Sequence, residues 1–211
     1  MRDLLFGRKR VRFRSTRPYN TRSCRALRGP YLEHLCQFLL EFAVNMQIRP
    51  FQSSDLQRLR EITVEAFDGV SIDQAMENAF GLINGHNWQW RKGRHLDDDV
   101  ARDPGSIFVA EEEGRILGCI TAWMDHEAGV GHIPNLALTP ESRGKGFGRQ
   151  LIELAIDHFR KHGMTHARIE TLVQNGVGNH LYTSVGFREV SRQIHFAMDL
   201  TAGADTVVFD D

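Results

Sequence analysis

Residues Ser142–Gln150, SRGKGFGRQ, set three glycines at alternate positions among cations, just ahead of an apolar pattern of helical period. Glycine lets a main chain turn tightly and come close to a ligand. The first turn of a helix offers unpaired N–H groups to an anion. The stretch therefore has the makings of a phosphate cradle, with Arg143 and Lys145 adding positive charge. Two further residues have types suited to moving protons: Tyr182, a phenol that keeps its proton at neutral pH, and Glu170, a carboxylate 12 residues earlier. His132 is a second base. A Walker-type loop is excluded, because Gly148 is followed by Arg149-Gln150 and not by Lys-Ser/Thr. A dinucleotide fingerprint is excluded too: Gly144, Gly146 and Gly148 are spaced G-x-G-x-G, late in the chain.

A third kind of pyrophosphate loop fits. Arg143-Gly144-Lys145-Gly146-Phe147-Gly148, following LALTPES, resembles the [RQ]-x-x-G-x-[GA] loop of the GNAT superfamily of N-acetyltransferases. Downstream, IETLVQN resembles that family's next strand, with Asn175 just past its end, and LYTSVGF resembles its L-Y-x-x-x-G-F signature. The spacing is most similar to the ribosomal-protein alanine N-acetyltransferase branch, and the resemblance covers roughly residues 46–200. It implies an α/β fold with a mixed, mostly antiparallel central sheet, splayed after a bulged strand and flanked by helices on both faces. It also implies acetyl-CoA as co-substrate, no metal, and a primary amine, free or on a peptide, as acceptor.

Acetyl transfer from a thioester to an amine needs a neutral amine, a fixed carbonyl, oxyanion stabilisation and a proton for the departing thiolate. The resemblance assigns the diphosphate to Arg143, Gly144, Lys145, Gly146, Phe147 and Gly148, with Asn175 completing the cofactor contacts. Leu136, Ala137 and Leu138 are expected to bond the pantetheine arm, their N–H groups polarising the thioester. Tyr182 falls where the family keeps a tyrosine near the sulfur and is the expected general acid. Glu170 matches a glutamate of the alanine branch and is the expected base, with His132 as runner-up. Cys119, inside ILGCITAW, reads as a packed thiol and not an acyl-enzyme nucleophile, so direct attack in a ternary complex is expected. His158 and His162 have metal-sharing i, i+4 spacing but no third ligand, and suit a helix C-terminus. Trp88, Trp90 and Asp97–Asp99 fall where the family varies its acceptor site; solvated acids are the plainer reading.

Elements must hold these residues in place. MQIRPF reads as a strand, and Ser53 or Ser54 as the cap of a helix reaching Phe67, with Leu56, Leu59, Ile62 and Ala66 at helical spacing. Residues 68–105 read as helix and loop mixed. SIFVAEEEGRILGCITAWM reads as a hairpin turning at Glu-Gly, and GHIPNLAL as a strand bulged or splayed near Pro134. From Phe147 a helix carries Leu151, Ile152, Ala155, Ile156 and Phe159 on one stripe. HARIETLV is then a strand, GNHLYTSV a short helix and IHFAMDL a closing strand.

The 211 residues are 41% hydrophobic and 25% charged, as in an ordinary globular protein. No apolar run is long enough to span a membrane. Net charge is −1, but residues 1–45 carry 10 Lys+Arg against 3 Asp+Glu, leaving −8 on the rest. The three cysteines make no disulfide or zinc framework and fit a reducing, cytoplasmic setting. Residues 1–45 are expected to be a disordered basic extension, a transit peptide or sequence ahead of a start at Met46; 46–200 the acetyltransferase domain; 201–211 a tail. Two other readings stand beside the enzyme. One is a non-catalytic acyl-CoA sensor, against which Tyr182 argues. The other is a nucleic-acid-binding basic arm, against which its sparse aromatics argue. A homodimer is compatible with either.

Overall fold

The computed structural model describes residues 4–6, 9–11 and 46–201. The chain divides into two units, Met1–Val44 and Asn45–Asp211. In the first, strands β1 (Leu4–Phe6) and β2 (Lys9–Val11) pair antiparallel. The remainder of the expected basic extension lies outside the described residues, as does the tail after Thr201.

The second unit is built on a five-stranded sheet in the order β3-β4-β5-β6-β7. Its strands are β3 (Gln47–Pro50), β4 (Ile107–Glu112), β5 (Arg115–Asp125), β6 (Val130–Leu138) and β7 (His166–Ile169). The pairs from β3 to β6 are antiparallel and β6–β7 is parallel. Helices α1 (Leu56–Ala66), α2 (Ile72–Phe80) and α3 (Trp88–Arg102) fill the connection from β3 to β4. Helix α4 (Phe147–Lys161) carries the crossover from β6 to β7, and α5 (Gly176–Ser184) follows. The β4–β5 turn is Glu113-Gly114, both at positive φ (51° and 76°), as a tight hairpin requires.

Strand alternation sorts the core into two faces. Val109 and Cys119 join Ala137 against Leu59 and Ile62 of α1 and Leu96 of α3. Their neighbours Ala110 and Ile120 turn the other way, onto Leu151, Ile152, Ala155 and Phe159 of α4. Helices therefore cover both faces, as expected. A Cβ at Gly131 would lie 2.4 Å from the Phe159 ring, so the missing side chain is what lets α4 settle on β6.

Three local expectations are corrected. Neither serine caps α1; Asp55 fixes its entry, accepting the Gln52 N–H at 2.8 Å and a hydrogen bond from Arg49 at 2.7 Å. The HARIETLV strand stops at Ile169. The closing strand IHFAMDL does not form: Ile194 and Phe196 are 76% and 91% exposed, and Met198 and Leu200 are equally open. Alternation assigns such a segment a face but not a partner, and β7 offers only a four-residue edge.

Candidate active site

Pro134 is where the sheet opens. Between the pairs Thr121↔Asn135 and Trp123↔His132, β5 has one residue and β6 has two, so β6 bulges at Ile133-Pro134. The parallel ladder to β7 ends at the same point, with Ile133↔Ile169. A proline lacks the N–H a ladder requires. Beyond it, Asn135–Leu138 pair with β5 on one side and, among the described residues, have no strand partner on the other. Thr139 donates its N–H to the Leu117 carbonyl, so by alternation Ala137 turns its main-chain groups to β5, while those of Leu136 and Leu138 face the gap between strands. The expected splay stands where the proline put it.

The glycine loop follows directly. Pro140–Ser142 form a single 3-10 turn, tied by a 2.8 Å contact between the Thr139 and Ser142 hydroxyls. Gly144 and Gly146 then take φ of 74° and 88°, a left-handed region that costs other residues energy. Gly146 is the N-cap of α4, so the first-turn N–H groups open onto the loop. Arg143, Gly144, Lys145 and Gly146 are exposed, whereas Phe147 and Gly148 are buried. A Cβ at Gly148 would meet Leu181 at 3.1 Å, Leu138 at 3.5 Å and Leu136 at 3.9 Å. That position brings the loop, the frayed half of β6 and α5 together.

Tyr182 on α5 lies half-buried against the α4-side core, beside Phe187. Burial pushes its phenol above the ordinary value, so it holds its proton at neutral pH. Asn175 sits at the start of α5 as its cap. Its Oδ1 accepts the Gly178 N–H at 3.0 Å and its Nδ2 donates to Thr171 Oγ1 at 2.8 Å. The residue expected to touch cofactor thus also aims the helix that carries Tyr182.

Glu170 and His132 lie on the opposite sheet face, shared with α3. Glu170 is exposed and hydrogen-bonded to Arg168, the residue that faces His132 across the β6–β7 ladder. His132 is half-buried, its ring stacked on Trp123 at 3.9 Å between centroids. The Arg102 guanidinium lies 4.6 Å from the Trp123 ring centre. Burial, and then Arg168, hold the His132 imidazole below the usual value, against the pull of Asp125 and Glu170. It is neutral at pH 7 and able to accept a proton.

One group of residues was missed in sequence. Lys92 of α3 is only 6% exposed, yet its Nζ donates to Asn135 Oδ1 at 2.8 Å. Asn135 Nδ2 in turn donates to Asp99 at 2.7 Å, and its backbone N–H donates to Thr121 Oγ1 at 3.1 Å. The signal was a charged residue on a helical stripe: Trp88, Lys92, Leu96 and Asp99 are all buried on one side of α3. Asp99 therefore differs from the solvated acids expected there. Cys119 is fully buried, its thiol pushed up to about 12 by burial, which suits packing and not nucleophilic attack. His158 contacts Ser106 Oγ at 2.9 Å through Nε2, and His162 Nδ1 lies 2.8 Å from the His158 carbonyl.

Known proteins are similar to this chain in sequence and in fold. The model of the acetyltransferase (GNAT) family matches residues 57–187, more than half of the chain. An uncharacterised N-acetyltransferase of Methanocaldococcus jannaschii is 32% identical over 145 residues, covering 68% of this chain and 79% of that protein. A mycothiol acetyltransferase of Tsukamurella paurometabola is 29% identical over 154 residues, 64% of this chain; the match spans about half (51%) of that longer protein. Among solved structures, the PaiA N-acetyltransferase of Thermoplasma acidophilum, in complex with coenzyme A, superposes with a TM-score of 0.58 at 22% identity, covering 71% of this chain and 93% of that one. Bulge, glycine loop and tyrosine helix follow one another within the matched region, and the chain belongs to the GNAT acetyltransferase family.

Proposed function

We propose that the protein moves an acetyl group from acetyl-CoA to a primary amine by direct attack in a ternary complex. The observation that carries this reading is the opening at Pro134, bordered by the left-handed glycine loop at the start of α4 and by Tyr182 on α5. First-turn N–H groups of α4, with Arg143 and Lys145, would hold the diphosphate. The free edge of Leu136–Leu138 would bond the pantetheine arm and polarise the thioester carbonyl. The amine nitrogen attacks the carbonyl carbon, the C–S bond breaks, and Tyr182 gives its proton to the thiolate sulfur. Glu170 takes the proton shed by the attacking nitrogen. His132 is favoured as a second receiver by one observation: it is half-buried and neutral on the same face, whereas Glu170 is exposed and engaged by Arg168.

Excess acid outside residues 1–45 favours cationic acceptors, such as polyamines, lysine side chains or peptide N-termini. The test is an acceptor panel of these classes incubated with acetyl-CoA while free thiol is followed. Acceptor-dependent thiol release supports the transferase. Binding of acetyl-CoA with no release by any acceptor supports the sensor reading, and no binding overturns both. Comparing Glu170→Gln with His132→Gln across pH 5.5–9 then assigns the base. The true base is the one whose loss removes the acid limb of kcat/KM.

A further inference from the structure

The buried chain Lys92–Asn135–Asp99 has no part in the chemistry above, yet it meets the sheet at its opening. Asn135 is the first residue of β6 after the bulge. Its side-chain oxygen faces a cation and its side-chain nitrogen faces an anion, so the amide has one favourable orientation. The backbone N–H is held as well, donating to Thr121 Oγ1 of the facing strand. Lys92 is in turn fixed by the Phe67 ring, 3.7 Å from Nζ, at the end of α1. Two elements, α3 and β5, therefore converge on one residue, and the end of α1 acts on it through Lys92. Burying an ammonium and a carboxylate is costly, and apolar residues of similar volume usually serve stability as well or better. What the polar arrangement adds is direction. The next residue, Leu136, belongs to the strand edge assigned above to the thioester carbonyl.

Resting on the transferase reading, we propose that Lys92 and Asp99 are positioning residues that orient Asn135 and, through it, the Leu136–Leu138 edge that polarises the acyl group. The groups facing the Lys92 ammonium are Asp73 of α2, His95 and Asp99 of α3, and the Cys119 thiol of β5. Burial brings Lys92 down to about 8, against the opposing pull of Asp73 and Asp99. Loss of its charge removes the cation that orders the Asn135 amide, so the orientation weakens in alkali.

The test uses the full chain with acetyl-CoA labelled with ¹³C at the thioester carbonyl. In wild type the bound carbonyl resonance should move downfield from its free position. In Lys92→Met most of that shift should be lost while acetyl-CoA affinity stays within about twofold, since the diphosphate loop is untouched. Wild-type Asn135 side-chain amide signals should titrate near pH 8. Asp99→Asn keeps the shape, removes an anion that raises the Lys92 value, and should move that titration to lower pH. It serves if Lys92→Met does not fold. An unchanged carbonyl shift in a folded Lys92→Met, or a pH-independent Asn135 signal, overturns the proposal. Failure of wild type to bind acetyl-CoA overturns the transferase reading instead, and the positioning role with it.

Discussion

At the scale of single residues, the proposed mechanism would divide its proton work between two faces of one sheet. Tyr182 lies on the α4 side, kept protonated by burial, while Glu170 and His132 lie on the α3 side. Tyr182→Phe keeps the ring and deletes the donor. Turnover should fall about 10²–10⁴-fold while acetyl-CoA affinity barely changes, as read by steady-state thiol release and calorimetry. Lys92 carries a separate pH signature. Its folded value of about 8 lies below its ordinary 10.5. Between those limits the unfolded chain binds a proton that the folded chain has released, so stability from this group rises with pH across that window. Urea midpoints at pH 7.5 and 10 should therefore shift in favour of wild type over Lys92→Met as pH rises; a constant difference contradicts the assignment.

At the scale of elements, the glycine positions separate binding from folding. The Cβ direction at Gly146 is open, with no atom within 4 Å, so Gly146→Glu costs only about 1–2 kcal/mol for its left-handed backbone. It also sets a carboxylate at the α4 N-terminus. Acetyl-CoA binding should collapse in calorimetry while the circular dichroism spectrum is retained. Gly131→Ala does the reverse. Its Cβ would enter the Phe159 ring at 2.4 Å, so the melting transition should drop by the equivalent of about 1–3 kcal/mol. Much of this level was legible in advance. Pro134 marked the bulge, Glu113-Gly114 the hairpin, and Leu151 to Phe159 the stripe of α4. The stretch 68–105 was not resolved into α2 and α3, because Lys92 and Asp99 stand on a stripe where a periodicity reading expects apolar side chains. Their partner Asn135 lies 43 positions beyond Lys92, and no local pattern encodes that contact. Asp55 escaped notice for the same reason, since Arg49 and the fold around it, not the helix alone, make it the entry residue.

At the scale of the whole molecule, the unit Asn45–Asp211 holds the sheet and both cores. No described helix is long and apolar enough to cross a membrane. The stretch Ile194–Leu200 has another consequence, for how the protein behaves in a test tube. Four large apolar side chains on alternate residues, each at least 76% exposed, form a water-facing greasy strip. Such strips drive association that grows with protein concentration. Static light scattering should show an apparent mass that climbs on concentrating the wild type. Phe196→Lys, which puts a charge in the middle of the strip, should hold that mass near 24.1 kDa over the same range. A wild-type mass that stays flat would mean the strip is covered in solution. For anyone storing or crystallising the protein, the concentration limit is then set by seven residues remote in sequence from the glycine loop.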